Sequence, residues 1–195
     1  MGIFGWLGGL LPDKGRPVEE LARRLDMRAG ELRGIRPAYR EFTVPRRSGA
    51  AREISAPEPD LKDVQKRIYT HLLKRLPVHD AVHGFVHGRS IVTNALPHRH
   101  RAVVINMDIQ GFFPSTSEKR LRRYFRKIGW SRAATDLLAR LTTHRGGLPP
   151  GAPTSPCLSN VLNMKMDARL AGLARSHGAR YTRYADDITF SLGED

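Results

Sequence analysis

Asp186 and Asp187 stand side by side in the stretch Arg180-Tyr-Thr-Arg-Tyr184-Ala-Asp186-Asp187-Ile-Thr-Phe190-Ser. Two carboxylates this close repel each other, and a bound divalent cation relieves the repulsion. Tyr181, Thr182 and Tyr184 before them, and Ile188, Thr189 and Phe190 after them, favour strand. Ala185-Asp186-Asp187 then predicts the tight turn of a hairpin, because Asp tolerates turn conformations. A solvated pair needs no apolar flanks, although an ordinary acidic turn carries the same letters. A third acid, Asp108, ends the apolar run Ala102-Val-Val-Ile-Asn-Met-Asp108. That run predicts a buried strand delivering a carboxylate at its end. The remaining elements must bring Asp108 to the 186–187 pair.

Other candidates for chemistry are weaker. His79, His83 and His87 recur every four residues, but Gly84 and Gly88 break the helix that would align them. A zinc site also needs a fuller ligand set, and only Asp80 accompanies them, so they are read as structural or solvent-exposed. Gly84-Phe-Val-His-Gly88-Arg-Ser90 is one residue too short for a phosphate-binding glycine loop and has Arg in place of Lys. Gly146-Gly-Leu-Pro-Pro-Gly-Ala-Pro-Thr-Ser-Pro156 runs into a helix predicted from Cys157 to Ser176 and ended by Gly178. Its backbone donors suit an anionic ligand, and a plain connector has the same composition.

The supporting elements follow from periodicity. Pro17 to Ile35 predicts two short packing helices, with Val18, Leu21, Ala22 and Leu25 on one face. Tyr39–Val44 and Arg52–Ser55 predict a hairpin turned at Pro45-Arg-Arg-Ser-Gly49. It carries Arg40, Arg46, Arg47 and Arg52, so one face can grip phosphates; a solvated basic edge is the other reading. Asp60 is expected to cap a helix whose stripe is Leu61, Val64, Ile68, Leu72 and Leu76. Ser115 and Glu118 make a capping box before a helix with Leu121, Tyr124, Phe125 and Ile128 inward and five bases around it. Leu137, Leu138 and Leu141 mark another helix. The last long helix shows Leu158, Val161, Leu162, Leu170 and Leu173 as its apolar face.

The balance of 33 Lys and Arg against 19 Asp and Glu gives a net charge of +14 in 195 residues. Such a charge points to a polyanionic partner, nucleic acid ahead of anionic membrane. The single cysteine, Cys157, excludes an internal disulfide and a cysteine-rich zinc site, and fits a reducing, cytoplasmic setting. No apolar run is long enough to span a membrane. The first eleven residues are apolar and rich in Gly but lack the basic region of a signal peptide, and read as a loosely docked arm.

Six ordered blocks resemble the motifs of a reverse transcriptase, most closely the bacterial retron type, from about Tyr39 to Ser191. Tyr39 to Pro57 resembles the first fingers motif, and His83-Gly-Phe85 with Gly88-Arg-Ser-Ile91 the next block. Asn94-Ala-Leu-Pro-His98 fits the Asn-Ala-x-x-His signature of retron enzymes. Met107-Asp108-Ile-Gln-Gly-Phe-Phe113 resembles palm motif A. Leu148-Pro-Pro-Gly-Ala-Pro-Thr-Ser-Pro-Cys-Leu-Ser-Asn160 resembles motif B, and Tyr184-Ala-Asp-Asp187 is motif C. The resemblance implies an α+β fingers–palm fold: an arm with short helices over 1–36, fingers over 37–101 and palm over 102–195, with an antiparallel palm sheet, packed helices and no thumb.

It further implies an RNA-directed DNA polymerase using two Mg²⁺ ions and dNTPs. The template and primer would be a structured non-coding RNA, the product an RNA–DNA hybrid, the use antiviral defence. Asp108, Asp186 and Asp187 would be catalytic and, with the carbonyl of Ile109, would hold metal. Arg52, Gly111, Phe112, Phe113, Pro150 and Gly151 would line the nucleotide, with Arg52 on the triphosphate and Phe113 as the gate against a ribose 2′-hydroxyl. Arg40, Arg46, Arg47, Asn94 and His98 would meet RNA. A core role is the other reading for one of Phe112 and Phe113. Pro150 stands where the family usually has Gln. The chain ends at Asp195, just past motif C, so a thumb or effector supplied by a separate chain is one expectation. A catalytically impaired RNA-binding module or relic is the alternative function.

Overall fold

The computed structural model describes residues 15–45 and 51–193, so Arg46, Arg47 and the N-terminal eleven residues lie outside the described part. The fold is mixed α+β. Helices α1 (Val18–Arg24) and α2 (Ala29–Gly34) precede a hairpin of β1 (Tyr39–Pro45) and β2 (Ala51–Pro57), followed by α3 (Pro59–Ile68). A short α4 (Ile91–Ala95) leads to β3 (Val103–Asp108), α5 (Phe112–Ser115), α6 (Glu118–Lys127) and α7 (Arg132–Thr142). The long α8 (Ser155–Ser176) and the hairpin of β4 (Arg180–Tyr184) and β5 (Asp187–Leu192) complete it. The second sheet is antiparallel with strand order β3-β5-β4.

One apolar core joins α1 and α2 to α3, α6, α7 and the start of α8, through Leu21, Leu25, Leu32, Leu61, Ile68, Leu121, Phe125, Leu138 and Leu158. A smaller one packs Tyr181, Ile188 and Ala174 under the β4–β5 hairpin. The predicted packing role of the two N-terminal helices is therefore what the structure has.

Several local expectations are corrected. The α3 stripe does not run unbroken to Leu76. After Ile68 the chain takes one π turn, Tyr69–Leu73, and Leu73 is fully buried while Leu72 is only half-buried. The wider turn advances the inward face by one residue. Asp60 is not the cap of α3: Glu58 holds that position, no side chain caps it, and Pro59 supplies the preset backbone of the first turn. Ser117, not Ser115, caps α6, its hydroxyl accepting from the Arg120 amide. Ser115 instead ends α5 and donates to the Phe112 carbonyl.

The apolar strand ending in Asp108 is not buried. As β3 it is the edge of its sheet, and Val103, Val104, Ile105 and Met107 are all about half exposed. On α8 Leu158 and Val161 are buried as expected and Leu162 and Leu170 pack against the two cores, but Leu173 is exposed, and the buried face also takes in Asn160, Asn163, Asp167 and Ala174.

Candidate active site

Register brings the acids together. β3 and β5 pair with Asp108 opposite Asp187, and β4 and β5 pair with Tyr184 opposite Asp187. The Ile109 amide donates to the Asp186 carbonyl at 3.0 Å, fastening the end of β3 to the acidic turn. The turn is the predicted hairpin, but the residue that takes the left-handed conformation is Ala185 (φ +57), not an aspartate. A non-glycine residue there stores strain and persists only when its surroundings hold it. Asp187 starts β5 and faces solvent, and Asp186 is half-buried.

The carboxyl of Asp187 is held above the ordinary carboxylate range, by partial desolvation first and then by the charges of Asp186 and Asp108. Asp187 therefore senses both of the other acids. The donors are all hard oxygens, the kind Mg²⁺ takes. Among the described residues no three His, Cys, Asp or Glu side chains already converge as a metal cage. The fit is therefore one of donor type and backbone placement.

Around this rim lie the expected nucleotide residues. Gly111 takes a left-handed conformation and begins α5. Phe112 is buried, and Phe113 is half-exposed, its ring 5.4 Å from that of Phe112 and 6.1 Å from that of Phe85. The core role thus falls to Phe112. The 146–152 loop packs on α5 at Gly147, where a Cβ would sit 2.3 Å from the Pro114 carbonyl oxygen. It meets β2 through the Ser55 amide, which donates to Pro150 O at 2.7 Å, and at Gly151, whose added Cβ would be 2.8 Å from Ile54 Cγ2. Arg52 is exposed on β2, three residues before that contact, and Arg40 is exposed on β1.

His98 is placed differently from a residue that meets RNA. It is buried, with Nδ1 bonded to the Ser191 hydroxyl (2.7 Å) and Nε2 to the Thr182 hydroxyl (2.8 Å). Both nitrogens are spent inside the chain, tying the segment after α4 to β4 and β5. Asn94 is half-buried with its Oδ1 enclosed and unpartnered. His79 accepts from the Ala81 amide, and His83 bonds to Thr93. Arg89 turns back onto the carbonyls of His79, Asp80 and Val82, so the glycine segment before it is closed by its own chain.

The sequence reading missed Asp167 and Arg183, two fully buried charges joined by a bidentate ion pair. It also missed Gly84, which abuts the acidic turn from the other side, and Asn160, which holds Gly84 by its carbonyl. The available signal was the helical spacing of Asn160, Asn163 and Asp167, which a search for apolar stripes passes over.

Residues 44–194 match the family model for reverse transcriptase (RNA-dependent DNA polymerase), and the chain belongs to that family. Within it, the chain is similar to the Retron Mx162 reverse transcriptase of Myxococcus xanthus, at 41% identity over 89% of this chain and 41% of the relative. The Retron Mx65 enzyme of the same organism is 40% identical over 97% of this chain and 52% of its own length. The Retron Ec86 reverse transcriptase of Escherichia coli is 36% identical over 78% and 48%. The chain thus spans about half the length of these relatives. A telomerase structure from Candida albicans aligns over 86% of this chain and 40% of its own at a TM-score of 0.49 and 12% identity, too distant to carry an argument. Among the described residues no helix is long and apolar enough to cross a membrane.

Proposed function

We propose that this chain carries the nucleotide-adding site of a retron-type RNA-directed DNA polymerase. The supporting observation is the strand register that sets Asp108 opposite Asp187, with Asp186 tied to Ile109. Asp108, Asp186 and Asp187, with the Ile109 carbonyl, are the proposed ligands of two Mg²⁺ ions. Held there, such ions would supply charge stabilisation to the attacking and leaving oxygens of a displacement at phosphorus.

The protein's own residues do the rest. Arg52 pairs with the triphosphate of an incoming dNTP, its planar fork matching phosphate oxygens. The half-exposed ring of Phe113 excludes a ribose 2′-hydroxyl, backed by the buried Phe112. Pro150 and Gly151 place the loop that β2 grips against template and nucleotide. Arg40 meets the RNA phosphates, and His98 acts by holding the sheet. The fingers and palm are assigned to 37–101 and 102–195, with 1–36 as an N-terminal arm.

The proposed template and primer is a structured non-coding RNA and the product an RNA–DNA hybrid. The retron resemblance supports a cytoplasmic role in antiviral defence, with a thumb or effector from a separate chain as a further proposed partner. The test is Mg²⁺-dependent incorporation of labelled dNTP on an RNA template. Activity in the wild type and its loss in Asp186→Ala is expected. Equal incorporation in both refutes the site, and RNA binding without any synthesis favours a binding module.

A further inference from the structure

Arg183 and Asp167 take part in none of the steps above, yet both are completely buried. Arg183 Nε donates to Asp167 Oδ1 at 2.7 Å and Nη2 to Oδ2 at 2.9 Å. The Tyr181 hydroxyl donates to the same carboxylate at 2.7 Å. A buried ion pair seldom stabilises a fold more than apolar residues of the same volume would. Its reason must lie elsewhere, and the remaining donor of the guanidinium supplies one. Arg183 Nη1 donates to the carbonyl of Ala185 at 2.7 Å. Ala185 is the strained left-handed residue immediately before Asp186. Only a guanidinium has enough donors in a fixed fork to hold a carboxylate with two and a carbonyl with a third.

The opposite side of the turn is closed as tightly. A Cβ on Gly84 would lie 2.3 Å from the Ala185 amide nitrogen, so only glycine fits there. Asn160 on α8 donates to the Gly84 carbonyl at 2.9 Å. The Arg183 amide donates to Ala81 O, and the His83 amide to Arg183 O, both at 2.8 Å. The guanidinium also sits 5.3 Å from the Phe112 ring, so one side chain meets both the acidic turn and α5, the short helix that carries Phe113.

We infer that Arg183, locked by Asp167, is a positioning residue that holds Ala185 in its strained conformation and so aims Asp186 and Asp187 at Asp108, with Gly84 as the seat opposite. The inference rests on reading those acids as the metal site of a polymerase.

The test uses the full chain with the double substitution Asp167→Leu/Arg183→Met, which keeps volume and removes the pair. Three readouts are taken: the thermal midpoint, hydrogen–deuterium exchange of residues 184–188, and Mn²⁺ binding followed by electron paramagnetic resonance. The midpoint should be kept, exchange at the turn should rise about 10-fold, and Mn²⁺ affinity should fall about 10-fold, as for other groups that orient metal ligands. Arg183→Lys, which keeps the charge and loses the fork, and Gly84→Ala, which presses on Ala185 from the far side, should lower the midpoint and likewise raise exchange at the turn and weaken Mn²⁺ binding. They carry the test if the double variant does not fold. Unchanged exchange at the turn in the folded variants overturns the positioning role. A wild type that binds no Mn²⁺, with faster exchange in the variants, removes the metal-site reading and leaves the positioning of the turn supported.

Discussion

His98 shows what a single side chain contributes here. Its two ring nitrogens bond two hydroxyls on neighbouring strands, and only the neutral ring supplies one donor and one acceptor. Burial first, and then the charges of His83, Arg101 and Arg180, hold it below its ordinary value of 6.5. His83 is lowered too, by burial and by Arg89. For a folded-state pKa that is depressed, the unfolded chain binds more protons as pH falls below the ordinary value. Stability is therefore full above 6.5 and is lost as pH falls through the folded values. The urea midpoint should drop between about pH 7.5 and about pH 5.5, and His98→Gln should flatten that drop. The two adjacent phenylalanines separate as cleanly. Phe112→Ala empties a buried site and should cost about 3–5 kcal/mol in denaturant titrations. Phe113→Ala should leave stability nearly intact and raise ribonucleotide incorporation relative to deoxynucleotide by about 10-fold or more.

At the scale of elements, the π turn after α3 is the informative departure. It makes Leu73 the core residue and leaves Leu72 half-buried. Leu73→Ala should cost about 2–5 kcal/mol and Leu72→Ala distinctly less, read from paired urea curves. An unbroken α-helix predicts the reverse order. The same element shows where sequence stops being legible. Periodicity located α3 through Ile68 because Leu61, Val64 and Ile68 repeat at helical spacing, but nothing in the letters marks a one-residue slip. The acidic hairpin was legible because strand-favouring residues flank a turn-tolerant centre, and the motif order implied that Asp108 comes to the 186–187 pair, but not the strand register that sets it opposite Asp187. The exposure of β3 was not legible, because an apolar run has the same letters at an edge as in the middle of a sheet. The polar part of the buried face of α8 was missed for a related reason: Asn160, Asn163 and Asp167 look solvated until Gly84, Arg120 and Arg183 are seen to meet them.

For the whole molecule, the net charge of +14 overstates what a polyanion can reach. Many arginines are committed within the fold. Arg140 donates to the carbonyls of Arg33 and Ile35, Arg67 to those of Leu25 and Asp26, and Arg120 to Leu162 O and Asn163. Arg122 bridges Glu118 and Asp136, and Arg183 is enclosed. Arg40 and Arg52, by contrast, are exposed on the hairpin whose β2 grips the 149–151 loop, which puts their charge at the proposed template side of the acids. RNA affinity should fall with salt, and each phosphate contact contributes about 0.7 to 0.9 to the slope of log affinity against log salt. Arg40→Ala should lower that slope by about one contact, whereas Arg52→Ala, whose guanidinium is placed on the triphosphate, should leave the slope for RNA alone unchanged. Arg140→Ala removes the same formal charge from a residue spent on backbone carbonyls, and should leave the slope unchanged. A filter-binding series over salt with the three variants decides it, since a diffuse effect of total charge predicts equal losses at all three positions.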